Sequence, residues 1–138
     1  GELLSYFKEI YQGKVDRVAA LEGSGYILGG MLARELGVGF VPITKHKNRE
    51  DFQDDCYYSV YVNHDNESSA LVVRKDSLGE HSRVLVVDNW VKTGATIHCI
   101  RAIMEDAGSE VVGIAAFGMD DNERTRAIQA EISVSSIL

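Results

Sequence analysis

The spacing of apolar residues along the chain alternates between the helical and the extended repeat. Residues 3–11 carry an apolar side chain every three or four positions, which predicts an amphipathic helix that ends near Gly13. The apolar run at residues 15–21 predicts a buried strand, and the helical pattern at residues 26–36 ends at Gly37. The chain thus begins with a helix, a strand, a glycine-containing loop and a second helix.

The rest of the chain continues this alternation. Further strands are predicted at residues 38–43, 57–62, 70–74, 84–88, 111–117 and 132–137, and further helices at residues 96–107 and 122–130. Pro42 is expected to end the first of these strands, Thr96 to cap the next helix and Gly108 to end that helix. A cluster of polar turn residues separates residues 57–62 from residues 70–74, which favours an antiparallel pair.

Strands that alternate with helices predict an α/β fold with a mostly parallel central sheet and helices on both faces. The chain has 138 residues, 45% of them hydrophobic, so residues 1–138 are interpreted as a single domain with one sheet. In such sheets a ligand binds at the carboxyl ends of the strands. Two loops leave predicted strands at such ends, at residues 22–25 and 89–95.

Composition limits the classes of partner. The formal net charge of −7 argues against broad nucleic-acid binding, because phosphate neutralisation needs clustered Lys and Arg. The absence of a long apolar run and of a signal-peptide pattern favours a soluble, cytoplasmic protein without membrane contact. Cys56 and Cys99 are isolated, so we expect free thiols and no metal held by protein ligands alone.

Residues 92–96 lie between an apolar strand and a predicted helix start, where free N–H groups and the helix dipole favour a phosphate. Gly94 and Ala95 would let the backbone approach the phosphate oxygens, and Lys92 adds a positive charge. The hydroxyls of Thr93 and Thr96 can donate hydrogen bonds. An ordinary strand-to-helix turn has the same pattern, so the loop alone leaves both interpretations open.

A carboxylate and an amide, Asp88 and Asn89, come just before this loop. At the end of a buried strand they can bind vicinal hydroxyls close to a phosphate, and a ribose 5-phosphate has this arrangement. The motifs GxxxxGK[ST] and GxGxxG do not occur, so the Walker A and dinucleotide-binding signatures are both absent.

The segment VLVVDNWVKTGAT at residues 84–96 resembles the phosphoribosyl-pyrophosphate (PRPP) motif of the type I phosphoribosyltransferases. The segment VAALEGSGYILGGMLARELGVGFVPI at residues 18–43 is similar to the adenine phosphoribosyltransferase branch of that family. YSVYV at residues 58–62 and LVVRKDSLGEHSRVLVVD at residues 71–88 follow in the same order. The resemblance therefore covers about residues 16–118.

This resemblance implies an enzyme that transfers the 5-phosphoribosyl group of PRPP to a nucleobase, expected to be a purine, and releases pyrophosphate. It also implies Mg²⁺ bound through PRPP, a role in purine salvage and a homodimer. Asp88 and Asn89 would contact the ribose hydroxyls. The 5-phosphate loop would be Lys92, Thr93, Gly94, Ala95 and Thr96, and the pyrophosphate loop would be Glu22, Gly23, Ser24 and Gly25. Residues 44–55 would take the place of the family's mobile catalytic loop, from which Lys45, Lys47 and Arg49 would approach the pyrophosphate.

The sequence departs from the family pattern at several positions. Asn89 stands where the family usually has a second acid, and Ser24 stands where the adenine branch commonly has arginine. Ala95 replaces a glycine and fits only if its φ is not strongly positive. The hood that covers the base in the family is expected to be reduced or absent, and Trp90 would either shield the ribose site or pack on a second subunit. A non-catalytic PRPP- or nucleotide-binding module of the same fold, or an α/β domain with neither property, remain alternatives to the enzyme.

Overall fold

The computed structural model describes residues 2–47, 55–62, 66–79 and 81–136. The helices in these ranges are α1 (Glu2–Tyr11), α2 (Ser24–Leu36), α3 (Ala95–Asp106) and α4 (Glu123–Glu131), with a short 3-10 helix at Lys75–Ser77. The strands are β1 (Arg17–Leu21), β2 (Gly39–His46), β3 (Cys56–Val62), β4 (Ser68–Arg74), β5 (Arg83–Val91), β6 (Glu110–Met119) and β7 (Ser133–Ser136). The predicted order of helices and strands is confirmed.

All of these strands belong to one sheet with the order β3-β4-β2-β1-β5-β6-β7. The five strands from β2 to β7 pair in parallel, whereas β4 is antiparallel to both β2 and β3. The mostly parallel sheet and the antiparallel pair at residues 57–62 and 70–74 were both predicted correctly. In the described chain, none of the helices has the length and apolar character needed to cross a membrane.

Helices cover both faces of the sheet, because successive side chains of a strand point to opposite sides. In β5, Val84 and Val86 belong to a buried cluster with α3 and α4, which includes Ile103 and Ile128. Leu85 and Val87 instead belong to a cluster with α1 and α2. The central strands are therefore buried on both faces, which explains their nearly continuous apolar sequences.

Strand β2 does not end at Pro42, so the predicted boundary was wrong. Gly39–Ile43 of β2 pair with β1, and Thr44–His46 then pair with β4 on the other side. Because the pairing with β4 begins only after the proline, no neighbouring strand needs the N–H that Pro42 lacks. The first residues of the predicted polar loop, 44–46, are therefore part of the sheet, and residues 48–54, including Arg49, lie outside the described residues.

An ion pair joins the starts of the two central strands. Arg83 donates to the Asp16 carboxylate from its backbone N–H at 2.8 Å, from Nε at 3.1 Å and from Nη2 at 3.0 Å. The Asp16 N–H in turn donates to the carbonyl oxygen of Arg83 at 2.8 Å. The hydrogen bonds from the Arg83 side chain and backbone lower the pKa of Asp16 to about 2. The charged carboxylate of Asp16 therefore contributes to the stability of the folded state.

This pair predicts a specific loss of stability in acid. The unfolded chain titrates this group near its ordinary pKa of about 3.9, so the contribution of Asp16 is complete above that pH and decreases as the pH falls toward 2. We expect Asp16→Asn to reduce the pH dependence of the free energy of unfolding between about pH 4 and pH 2. Urea unfolding across this range measures it, with Asp106→Asn on α3 as the control. An unchanged pH dependence in Asp16→Asn would show that the pair does not stabilise the fold.

Candidate functional site

The connections of the sheet diverge between β1 and β5, its two central strands. The chain leaves β1 through α2 toward β2, and it leaves β5 through α3 toward β6 on the other side. Since α2 and α3 lie on opposite faces of the sheet, their loops separate and leave a crevice at the carboxyl edge. The two loops selected from the sequence, 22–25 and 92–96, both border this crevice.

The first loop is held to β2 by its backbone and by its acidic side chain. The Glu22 N–H donates to the carbonyl oxygen of Ile43 at 2.9 Å. The Glu22 carboxylate accepts the backbone N–H of Lys45 at 3.1 Å. Gly23 has a φ of 98°, a conformation that favours glycine, and α2 begins directly after it. The carboxylate is therefore engaged with β2, and the amide groups of the first turn of α2 face the carboxyl edge of the sheet.

Strand β5 and the start of α2 are joined by a hydrogen bond between two predicted site residues. The side-chain amide of Asn89 on β5 donates to the hydroxyl oxygen of Ser24, the first residue of α2. Both side chains are uncharged. The predicted pyrophosphate loop and the predicted ribose-binding strand are thus joined across the crevice by one side-chain contact.

Asp88 lies beside this contact, but β5 does not end there as predicted. The strand continues to Val91 because its last residues still pair with β6. By the alternation of side chains, Asp88 extends on the α3 side of the sheet and Asn89 on the α2 side. The half-buried Asp88 carboxylate accepts hydrogen bonds from the N–H groups of Asn89 and Trp90. Burial raises the pKa of this carboxyl above its ordinary value, and those two hydrogen bonds partly oppose the shift.

The second loop leads into α3, and its start differs from the prediction. The helix begins at Ala95 after Gly94, whose φ is 79°, so Thr96 lies in the first turn and is not the cap. The Ala95 N–H donates to the Thr93 hydroxyl oxygen at 3.3 Å. As the family resemblance required, Ala95 is helical, and the positive φ falls on the glycine before it.

Contacts from α4 fix the backbone of this loop. The side-chain amide of Asn122 donates to the carbonyl oxygen of Lys92 at 2.8 Å, and the same residue caps α4. A Cβ on Gly94 would lie 2.1 Å from Cδ1 of Ile128. The sequence suggested that position 94 is a glycine so that a phosphate can approach the backbone. The structure shows that the packing of Ile128 from α4 also requires a glycine at this position. Lys92 and Thr93 are exposed beside this fixed backbone.

Lys45 is near the first loop through its backbone. Its ammonium group lies 5.8 Å from the centre of the Tyr61 ring on β3. Lys47 is exposed just beyond β2. The assignment of both lysines to the pyrophosphate stays a prediction, as does that of Arg49. His98, which the sequence placed on the helix after the loop, is exposed on α3.

Sequence reasoning missed a cleft of about 440 Å³ beside the Ser24–Asn89 contact. It opens between the helices α1 and α2 and the ends of the strands β5 and β6. Apart from Ser24 and Asn89 its lining is apolar, formed by Leu3, Leu4, Ile27, Leu28, Met31 and Phe117. These six apolar residues come from three separate elements, α1, α2 and β6, so no local pattern in the sequence could have grouped them.

Within the described ranges, no three or more His, Cys, Asp or Glu side chains come together in a way that could hold a metal ion. Asp88 is a half-buried carboxylate on β5 that precedes the second loop, with the Asn89 amide next to it in the chain. This donor set fits a cation that arrives on a phosphorylated ligand, which supplies most of the oxygens itself, as is usual for Mg²⁺.

Taken together, these observations define an α/β fold with a crevice at a topological switch point, bordered by two helix starts of the kind that favour phosphate binding. A family profile described as "Phosphoribosyl transferase domain" matches residues 3–137. The chain belongs to this family, and it is a phosphoribosyltransferase. The resemblance seen in the sequence and the interpretation as an enzyme are thereby confirmed.

Individual relatives agree with this family assignment. The chain is 35% identical over 134 residues to an adenine phosphoribosyltransferase of Maricaulis maris, covering 91% of this chain and 70% of that protein. It is 31% identical over 120 residues to an adenine phosphoribosyltransferase of Clostridium botulinum, covering 83% and 67%. The crystal structure of adenine phosphoribosyltransferase from Rhodothermus marinus superposes with a TM-score of 0.83 at 29% identity, covering 99% of this chain and 77% of that one.

The contact between Gly94 and Ile128 predicts a large effect of a single methyl group. We expect Gly94→Ala to lower the free energy of unfolding by about 2–4 kcal/mol, because it combines a left-handed backbone with overpacking. In an Ile128→Val background, which removes the Cδ1 methyl group, the same substitution should cost only about 1–2 kcal/mol. Urea unfolding of the wild type, the two single variants and the double variant measures both values. An equal cost in both backgrounds would show that Ile128 does not restrict position 94.

Proposed function

We propose that this protein is an adenine phosphoribosyltransferase, which transfers the 5-phosphoribosyl group of PRPP to adenine and releases pyrophosphate. The names of the relatives support adenine as the acceptor. The observation that carries the proposal is the hydrogen bond between Asn89 and Ser24. In PRPP the ribose connects a 5-phosphate to a pyrophosphate, and this hydrogen bond joins the strand that would bind the ribose to the loop that would bind the pyrophosphate.

The 5-phosphate would bind in the loop at residues 92–96. The amide groups in the first turn of α3 and the positive end of its dipole attract a phosphate, and Lys92 adds a charge at the rim. The contacts from Asn122 and Ile128 hold the loop in one conformation before the ligand arrives. Such preorganisation matters in a chain with a net charge of −7, because an anionic substrate must be attracted locally.

The ribose would bind over Asp88 and Asn89. The Asp88 carboxylate can accept hydrogen bonds from the sugar hydroxyls, and its orientation is fixed by the N–H groups of Asn89 and Trp90. The Asn89 amide donates to Ser24, so its carbonyl oxygen is the group that would accept from a hydroxyl. Asn89 therefore supplies an oxygen where the family usually has a second acid.

Transfer would break the bond between the ribosyl carbon and pyrophosphate and form a bond to a nitrogen of adenine, and the base would lose its proton to pyrophosphate or to water. Positive charge develops on the ribosyl carbon, and the Asp88 carboxylate stabilises it electrostatically. The leaving pyrophosphate gains negative charge, which the amide groups and the dipole at the start of α2 stabilise. No protein nucleophile is needed for this displacement.

We propose Mg²⁺ as the cofactor, which would be bound mainly through the oxygens of PRPP, with Asp88 as a protein carboxylate that would help to hold it. When bound, the ion neutralises the charge that develops on the leaving pyrophosphate. The protein residues bind and orient the rest of the substrate.

A direct assay tests the function. Release of pyrophosphate from Mg²⁺-PRPP should require adenine, with a kcat/KM at least about 10-fold higher than with hypoxanthine, guanine, xanthine or uracil, since the pocket must discriminate polar ring substituents. Isothermal calorimetry with PRPP alone is run in parallel. Binding of PRPP without turnover of any base would contradict the enzymatic proposal, and a preference for another base would contradict the acceptor.

The raised pKa of Asp88 predicts that removal of its charge increases the stability of the protein at neutral pH and decreases its activity. Its pKa is raised in the folded state, so its contribution to stability falls as the pH rises through the window above the unfolded value of about 3.9. We therefore expect Asp88→Asn to unfold at a higher urea concentration than the wild type at pH 7, with a difference that disappears below about pH 4. The same variant should lose about 100-fold in kcat/KM. A destabilised variant at pH 7, or one with full activity, would refute the role given to this carboxylate.

A further inference from the structure

The tryptophan that follows the ribose-binding pair is held in a fixed position. The indole of Trp90 packs on the backbone of Gly118 in β6, where an added Cβ would lie 2.3 Å from Cζ3. Its Nε1–H donates to the Asp120 carboxylate at 2.7 Å, a short, charge-assisted hydrogen bond. The side chain of Trp90 is nevertheless 41% exposed, so part of the ring faces solvent.

Asp120 is itself anchored on both sides of its backbone. Its N–H donates to the carbonyl oxygen of Val91 at 2.8 Å. Its carbonyl oxygen accepts from the hydroxyl of Thr125 at 2.6 Å, and Thr125 belongs to the capping box of α4. The carboxylate therefore extends from a backbone that β5 and α4 both fix, which makes it a rigid acceptor for the indole.

The position of Trp90 relates it to the acceptor. The backbone N–H of Trp90 donates to the carboxylate of Asp88, which is proposed to bind the ribose. The tryptophan side chain therefore begins next to the proposed ribose position. A planar base attached to that ribose would lie close to Trp90, and the exposed part of the indole offers it a flat apolar surface.

We propose that Asp120 is a positioning residue for the acceptor: it holds the Trp90 indole against Gly118, and this orientation sets the affinity for the planar base. The inference rests on the proposed function. Asp120 acts only through Trp90 and is not itself a catalytic residue.

Four variants test the proposal. Asp120→Ala removes the acceptor of the indole N–H, and Asp120→Asn keeps an oxygen that can accept it. Gly118→Ala displaces the ring while leaving Asp120 intact. Asp121→Ala is the matched control, because it removes the neighbouring exposed carboxylate, which pairs with Arg126 at 2.8 Å instead.

Trp90 is the only tryptophan in the sequence, so fluorescence excited at wavelengths that the six tyrosines do not absorb reports on this indole alone. We expect Asp120→Ala and Gly118→Ala to lower its anisotropy and to increase its quenching by acrylamide. Both should raise KM for adenine by about 5- to 10-fold while kcat and KM for PRPP stay within about twofold. Asp120→Asn should lie close to the wild type, and Asp121→Ala should match it.

The outcomes separate the two parts of the inference. Unchanged anisotropy and quenching in Asp120→Ala would overturn the positioning role. A released indole with an unchanged KM for adenine would overturn the role of the ring in acceptor affinity. If the wild type transfers nothing to any base, the proposed function fails, but the fluorescence of the ligand-free variants still decides whether Asp120 fixes Trp90. Chemical unfolding of each variant identifies any rise in the KM for adenine that comes from a destabilised fold.

Discussion

The parallel pairing of β1 with β5 is the constraint on which the site depends. The register that sets Ala20 opposite Val87 places the end of β1, at Leu21, beside Asp88 and Asn89, while β5 continues to Val91. Because the chain then leaves the two strands on opposite faces, one helix start is available on each side of a single crevice. The hydrogen bond from Asn89 to Ser24 joins β5 to the start of α2 at this crevice. A ligand with phosphates at both ends of a sugar matches this arrangement.

Local sequence patterns were sufficient for most of the fold. Apolar periodicity located the helices and strands, and the glycines at positions 13, 37 and 108 all have positive φ values at helix ends. The errors occurred where partners distant in sequence decide a boundary. Pro42 is tolerated because β4 begins to pair only beyond it, and β5 is lengthened by the matching length of β6. The pairing of β2 with β4 and of β5 with β6 cannot be predicted from the residues next to the ends of β2 and β5.

The same distinction applies to the site. The loops at residues 22–25 and 92–96 and the pair Asp88 and Asn89 could be selected because their residue types lie together in the sequence. The contacts that fix them could not. Ile128 limits position 94 from 34 residues away, and Asp120 holds Trp90 from 30 residues away. Both contacts involve the segment around α4, which the sequence marked only as a short polar helix.

The contact between Ser24 and Asn89 also determines how the connection between α2 and β5 responds to salt. Both side chains are uncharged, so their hydrogen bond is not an ion pair that dissolved ions would screen. The connection is therefore expected to persist at ionic strengths that weaken the exposed ion pairs of the protein, such as that of Arg126 with Asp121.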